Sequence, residues 1–286
     1  MADIINNLIK EKHSEFLLSL RYSGISLRKT KMGKGKSSPA NSSLKYKKNF
    51  LTDVVFRIDF PSVSLQMEGK DAPYRKAIRK IFPKLESRTL TLFKTTLTKG
   101  QKIDEQSQQP LYIFTGKSGL ERLELSAAFL SISTKKYSSF KDFQRLIKSA
   151  TEPLTTIYSA KIFRRVGLRY VNQIILSEGH PLDWDKYINA SLLQTITTFL
   201  PKDNIARSMN QSVASFDDFR MNFAFGVFNS EFPSVVTRRE FILDIDCYSE
   251  DVEPDMLFSR LDLFNTTALK YFEMSILDGL RDIMRQ

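Results

Sequence analysis

Two arginines four residues apart, Arg165 and Arg169, stand in FRRVGLRYVNQIIL (163–176), and two aspartates two residues apart, Asp244 and Asp246, stand in FILDIDCY (241–248). Both stretches alternate apolar and polar residues, the pattern of a half-buried strand. A strand sends every second side chain to the same face. Arg165, Gly167 and Arg169 therefore share a face opposite Val166, Leu168 and Tyr170, and the two aspartates share a face opposite Leu243, Ile245 and Cys247. Two kinds of chemistry fit. In the first, Arg165 and Arg169 meet Asp244, Asp246 or both across the interface of the two halves of the chain, because a guanidinium in a sheet is costly unless a carboxylate matches it, best as a bidentate pair. In the second, the arginines face a cleft and hold a phosphate or carboxylate. The aspartates, roughly 7 Å apart on one strand face, would then ligate a divalent cation with Glu240 as a third acid. Gly167, between the arginines, leaves room for another backbone, a bulge or a ligand.

Other chemistry is weaker. TGKSG (115–119) has the end of a phosphate-binding loop, but Leu111 stands where the first glycine is needed and a strand pattern follows, so a hairpin turn is expected. His180 lies in SEGHPLDW, a loop, with no nucleophile motif to serve as a base. Cys247 follows the apolar parity of its strand and reads as a small buried hydrophobe. It is the single cysteine, so no intramolecular disulfide can form, and with only two distant histidines, His13 and His180, no ordinary zinc site can be built. No cofactor-binding motif is present.

The net charge of +11 is concentrated. RKTKMGKGKSSPANSSLKYKK (28–48) carries Arg28, Lys29, Lys31, Lys34, Lys36, Lys45, Lys47 and Lys48 with no acid, leaving +3 for the remaining 265 residues. Its Gly, Ser, Asn and Pro content suits a linker. It reads either as a solvated spacer or as an arm for a polyanion, nucleic acid or an acidic protein. The helix bearing Arg75, Lys76, Arg79 and Lys80 extends that surface, with Tyr46 and Tyr74 as stacking faces, the combination used by single-strand binders.

These residues need elements to place them. The spacing predicts an amphipathic helix over 3–20, strands at 50–60 and 88–98, a short basic helix at 72–82, a loop at 101–110 and a hairpin through 111–134. It then predicts a helix from Ser139 to about Tyr158 with Pro153 kinking or ending it, the arginine strand, a helix at 182–200, strands at 216–229 and 239–249, and a long helix at 255–284. The expected fold class is α+β: two related lobes of antiparallel sheet covered by long helices, each half running strand, helix, strand pair, long helix. The domain reading is an N-terminal helical extension (1–27), a basic linker (28–49), a first lobe (50–160) and a second (161–286).

RRVGLRYVNQI, the downstream FILDIDCYSEDVEPDMLFSRLDLFNTTALKYFEMSILDGLRDIM and the upstream FLTDVVFRIDF together resemble a sporadically distributed prokaryotic family of uncharacterised proteins of about 250 to 270 residues. The family carries an R-x-G-L-R-Y-x-N strand and an L-D-I-D strand. The likeness spans Lys45 to Met284. It implies a shared fold, supplies no catalytic residues, and its patchy distribution suggests a defence or mobile-element role.

The leading expectation is therefore a non-enzymatic binding protein whose basic arm contacts nucleic acid or an acidic partner. The alternative is a metal-dependent enzyme acting on nucleic acid or nucleotides through Asp244, Asp246, Arg165 and Arg169. Self-association through the helix at 3–20 is a third reading. No stretch is long and apolar enough for a membrane span and the N-terminus lacks a signal pattern, so a cytoplasmic protein without a membrane partner is expected.

Overall fold

The computed structural model describes residues 46–61, 71–98, 101–158, 161–199 and 201–286. The helix expected at 3–20 and the basic segment from Arg28 to Lys45 lie outside them. The strands are β1 (Leu51–Asp59), β2 (Lys84–Thr98), β3 (Gln101–Thr115), β4 (Glu121–Leu125), β5 (Phe129–Thr134), β6 (Phe163–Leu176), β7 (Ser208–Ser215), β8 (Arg220–Val227) and β9 (Arg239–Val252). The helices are α1 (Asp71–Ile78), α2 (Phe140–Tyr158), α3 (Leu257–Ser275) and α4 (Asp278–Arg285).

All nine strands form one antiparallel sheet in the order β2-β3-β4-β5-β1-β6-β9-β8-β7. This overturns the two-lobed expectation. β1 pairs with β6 from Asp59 opposite Arg165 to Leu51 opposite Asn172, with a register shift between Leu51 and Asp53, so a ladder joins the two expected halves. Residues 45–286 accordingly form one compact unit. The sequence pattern could not reveal this, because alternation shows which face of a strand is buried and not which strand is its neighbour.

One face of the sheet is apolar. Val54, Phe56, Ile58, Leu130, Ile132, Val166, Leu168, Ile174, Leu243 and Ile245 on it are fully buried. α2 and α3 are linked by Gln144 Nε2 donating to Asp262 Oδ1 at 3.0 Å. Tyr170 joins both helices to the sheet: its hydroxyl donates to Asn265 Oδ1 of α3 at 2.8 Å, and its ring meets Tyr137, just before α2, edge-on at 5.8 Å. Pro153 neither ends nor divides α2, which runs on to Tyr158.

Three further expectations are corrected. The polar stretch 101–110 is strand, not loop, because β3 matches β2 over its full length, from Lys84 opposite Thr115 to Thr98 opposite Gln101, and a ladder satisfies the backbone whatever the side chains are. The helix expected at 182–200 is broken into turns, a 3-10 helix (Ala190–Leu192) and a short π-helix (Thr195–Phe199), and the one expected at 255–284 is two helices. A single long-range contact accounts for both. Ile188 bridges Ile276, with Asn189 N donating to Ser275 O and Leu277 N donating to Tyr187 O, both at 2.9 Å, so neither segment can use that backbone for a helix. Gly279 permits the crossing, since a Cβ there would lie 2.5 Å from the Lys186 carbonyl oxygen. β7, too polar to read as a strand, was not anticipated.

Candidate functional site

The other face of the sheet is ionic. Arg169 stands opposite Asp246 in the β6–β9 ladder but leans two residues along, to the next position on that face, to grip Asp244, Nε to Oδ1 at 2.8 Å and Nη2 to Oδ2 at 2.5 Å. Arg165 stands opposite Glu250 and reaches Asp246 Oδ2 at 2.8 Å. Its guanidinium passes over Gly167, where a Cβ would lie 3.2 Å from Nη1, and rests on the ring of Tyr248, the residue opposite Gly167, at 4.5 Å. The room Gly167 leaves is thus filled by the neighbouring arginine. Asn222 Nδ2 donates to Asp246 Oδ2 at 3.4 Å. The four charged side chains are 17–26% exposed.

Burial opposes the charge on Arg169. The bond to Asp244 and the fields of Asp244, Asp246 and Asp53 outweigh it, holding the guanidinium above its ordinary value. All four singled-out residues thus come together, but inside the second half of the chain. The junction between halves is β1 against β6, where Arg57 bonds Asp59 at 2.6 Å and its guanidinium stacks on Phe129 at 4.1 Å.

This arrangement does little for metal chemistry. Asp244 is taken up by Arg169, Asp246 by Arg165 and Asn222, and the expected third acid, Glu240, is fully buried and accepts from Gln173 Nε2 and from Ser230 N at 3.1 Å. Among the described residues no group of three or more His, Cys, Asp or Glu is placed to hold a metal. Cys247 is buried, and desolvation followed by the field of Asp246 pushes its thiol up to about 12, so it is not a thiolate nucleophile at neutral pH. His180 is exposed in its loop, with Nδ1 accepting from Leu182 N at 3.2 Å.

The basic residues gather elsewhere. Helix α1 buries Tyr74 and Ile78, one turn apart, and turns Arg75 and Lys76 to solvent, while Arg79 and Lys80, expected on the helix, lie exposed in the turn after it. Tyr74 is not a stacking face: it is fully buried, donates its hydroxyl to Ala150 O at 3.1 Å and packs against Phe114 and Tyr158. Tyr46 is half-buried and donates to Glu273 Oε1 at 2.7 Å, which fastens the start of the described chain to α3. Lys47 and Lys48 beside it are exposed.

Beyond α1, Lys80 lines a cleft of about 440 Å3 with Lys117, from the β3–β4 turn, and Lys136, just after β5. The turn is a hairpin turn, Gly116 N donating to Glu121 O at 2.9 Å. The carboxylates of this cleft are already engaged: Glu121 by Ser118, and Asp142 by Ser138, Ser139 and Arg145, which hold it down to about 2. Among the described residues none of the three lysines has an ion-pair partner. Lys117 and Lys136 were missed from the sequence because each looks like an ordinary surface lysine. Only the β3–β4–β5 register brings them to one place, with Thr115 opposite Arg122 and Glu121 opposite Thr134.

No family model and no curated protein matches the chain.

Proposed function

We propose that the protein is a non-enzymatic nucleic-acid-binding protein whose cationic end, formed by α1, the β3–β4 turn and the residues after β5, receives a sugar–phosphate backbone. The carrying observation is that Lys80, Lys117 and Lys136 converge on one cleft from three separate chain segments and have no carboxylate partner among the described residues. A polyanion laid on these ammonium groups would release its own counterions. The register supports a longer track, because the start of β1, which Lys47 and Lys48 precede, lies at the same end of the sheet as the end of β5. The basic segment 28–48 would extend this charge. The patchy distribution of the family that the sequence resembles fits a component of a defence or mobile-element system. The enzymatic reading through Asp244 and Asp246 is the weaker one, since Arg169 occupies both oxygens of Asp244 and Arg165 and Asn222 share Oδ2 of Asp246.

Binding of fluorescent oligonucleotides across a salt series tests this. The parent should bind with steep salt dependence, and the Lys80→Ala/Lys117→Ala/Lys136→Ala variant should lose about 2 from the magnitude of the log–log salt slope for a single strand. A variant with the parent's affinity and slope would remove the cleft from the interface. Binding to an acidic polypeptide but not to oligonucleotides would redirect the reading to a protein partner.

A further inference from the structure

The β8–β9 loop holds a phenyl ring in the open. Phe232 is 52% exposed, yet the chain on either side of it is fixed. Asn229, with φ 55 and its side chain buried, donates through Nδ2 to Ala206 O and Ser234 O, both at 2.7 Å, and accepts from Glu231 N at 3.1 Å. Arg207 donates from Nε to Phe228 O at 2.6 Å and from Nη2 to Asn229 O at 3.4 Å. Its guanidinium lies between two rings, 4.7 Å from the centroid of Phe228 and 4.3 Å from that of Phe232. Phe232 therefore has one face seated on a cation while much of the ring stays in solvent. Val235, 48% exposed, and the cation Arg238 stand nearby on the same loop.

A surface aromatic held this way loses little entropy on binding, and a flat π-face beside arginines suits an unpaired nucleobase. Its position fits as well. Leu176 opposite Arg239 and Ser208 opposite Val227 put the β8–β9 loop at the end of the sheet where the β3–β4 turn also lies. Five strand spacings separate β4 from β8 in the sheet order, about 24 Å along the sheet at ~4.8 Å each. That is about seven nucleotides at the ~3.4 Å rise of a stacked strand, within the range of single-strand sites.

Resting on the nucleic-acid reading above, we propose that the ligand is single-stranded nucleic acid, laid along this end of the sheet from the lysine cleft, and that Phe232, backed by Arg207, stacks on one of its bases. A duplex keeps its base faces to itself and meets only the lysines. Hence the cleft supplies salt-dependent affinity and the loop supplies preference for the unpaired strand.

Binding of the full chain to three probes of equal length tests this: a single strand, a duplex, and a single strand with abasic sugars throughout. Phe232→Ala should weaken binding of the ordinary single strand about ten-fold, leave the salt slope unchanged, and leave the duplex and abasic probes as they were. Phe232→Trp should bind the single strand at least as well as the parent, whereas Phe232→Leu should behave like Phe232→Ala. The stacking assignment is overturned if Phe232→Ala binds the ordinary strand like the parent, if the loss is equal on the abasic probe, or if Phe232→Leu restores binding, the last pointing to an apolar protein contact. A parent that binds no oligonucleotide sinks the nucleic-acid reading itself. A parent that binds all three probes equally sinks only the stacking.

Discussion

Arg169 holds Asp244 through two bonds, 2.8 and 2.5 Å long, although the residue directly opposite it in the ladder is Asp246. The diagonal choice leaves Asp246 for Arg165, so two cations and two anions are matched one to one on a face of the sheet with limited access to water. Removing one member strands another. Arg169→Ala should cost roughly 3 kcal/mol of unfolding free energy, and a double-mutant cycle with Asp244→Ala should return a coupling of about 1 to 3 kcal/mol. Urea denaturation of the four proteins measures both. Additive losses would mean that the pair is not an energetic unit.

Gly167 and Arg165 are coupled sterically. A methyl at position 167 meets the guanidinium at 3.2 Å and presses it away from Asp246 and Tyr248. Once Arg165 is truncated the obstruction is gone, and alanine should gain the usual advantage of about 0.5 to 1 kcal/mol over glycine inside a strand. Gly167→Ala is therefore expected to be more favourable in an Arg165→Ala background than in the parent, by about 1 kcal/mol. Equal effects in the two backgrounds would contradict the steric account.

Tyr46 ties the beginning of the described chain to α3. Burial first, then its bond to Glu273, raises its hydroxyl to about 12, against about 10 in an unfolded chain. The folded state thus favours the protonated phenol. Its contribution is whole below about pH 10 and is lost as pH rises toward about 12. Tyr46→Phe cannot titrate, so the parent should lose stability across that window in excess of the variant, as measured by chemical denaturation at each pH. Trypsin should also cut the variant faster after Lys47 and Lys48, because the hydroxyl bond holding this segment to Glu273 is gone. Matching pH profiles and cleavage rates would count against the tether.

Gly226 is the tightest backbone approach among the described glycines. With φ 143 it sits where L side chains are strained, and a Cβ would lie 2.0 Å from the carbonyl oxygen of Ser208. Gly226→Ala should cost at least about 1 to 3 kcal/mol and loosen the edge strand β7, the neighbour of Arg207. Amide exchange across Ser208–Ser215 should accelerate more than exchange in β6. Unchanged protection there would show that the backbone absorbs the methyl elsewhere.

The sequence by itself determined the faces. Period-two alternation in 163–176 and 241–248 assigned Val166, Leu168, Tyr170, Leu243 and Ile245 to the core and put the arginines and aspartates on the opposite sides of their strands, because a strand's side-chain period is a local property of the backbone. It also marked a short basic helix by Arg75, Lys76, Arg79 and Lys80, but took Tyr74 for a stacking face, because a local pattern does not say how deeply a helix is set. Only the tertiary structure decided which strands are neighbours. β1 joins β6 and makes one sheet of the expected two, β3 becomes strand through its ladder with β2, and the bridge from Ile188 to Ile276 divides two expected helices. These ladders and bridges pair segments that are local to no single sequence window, and their hydrogen bonds are made by backbone groups that every residue other than proline carries alike. The gathering of Lys80, Lys117 and Lys136, and the pinning of Phe232 over Arg207, depend on those contacts as well, so neither could be read from local pattern.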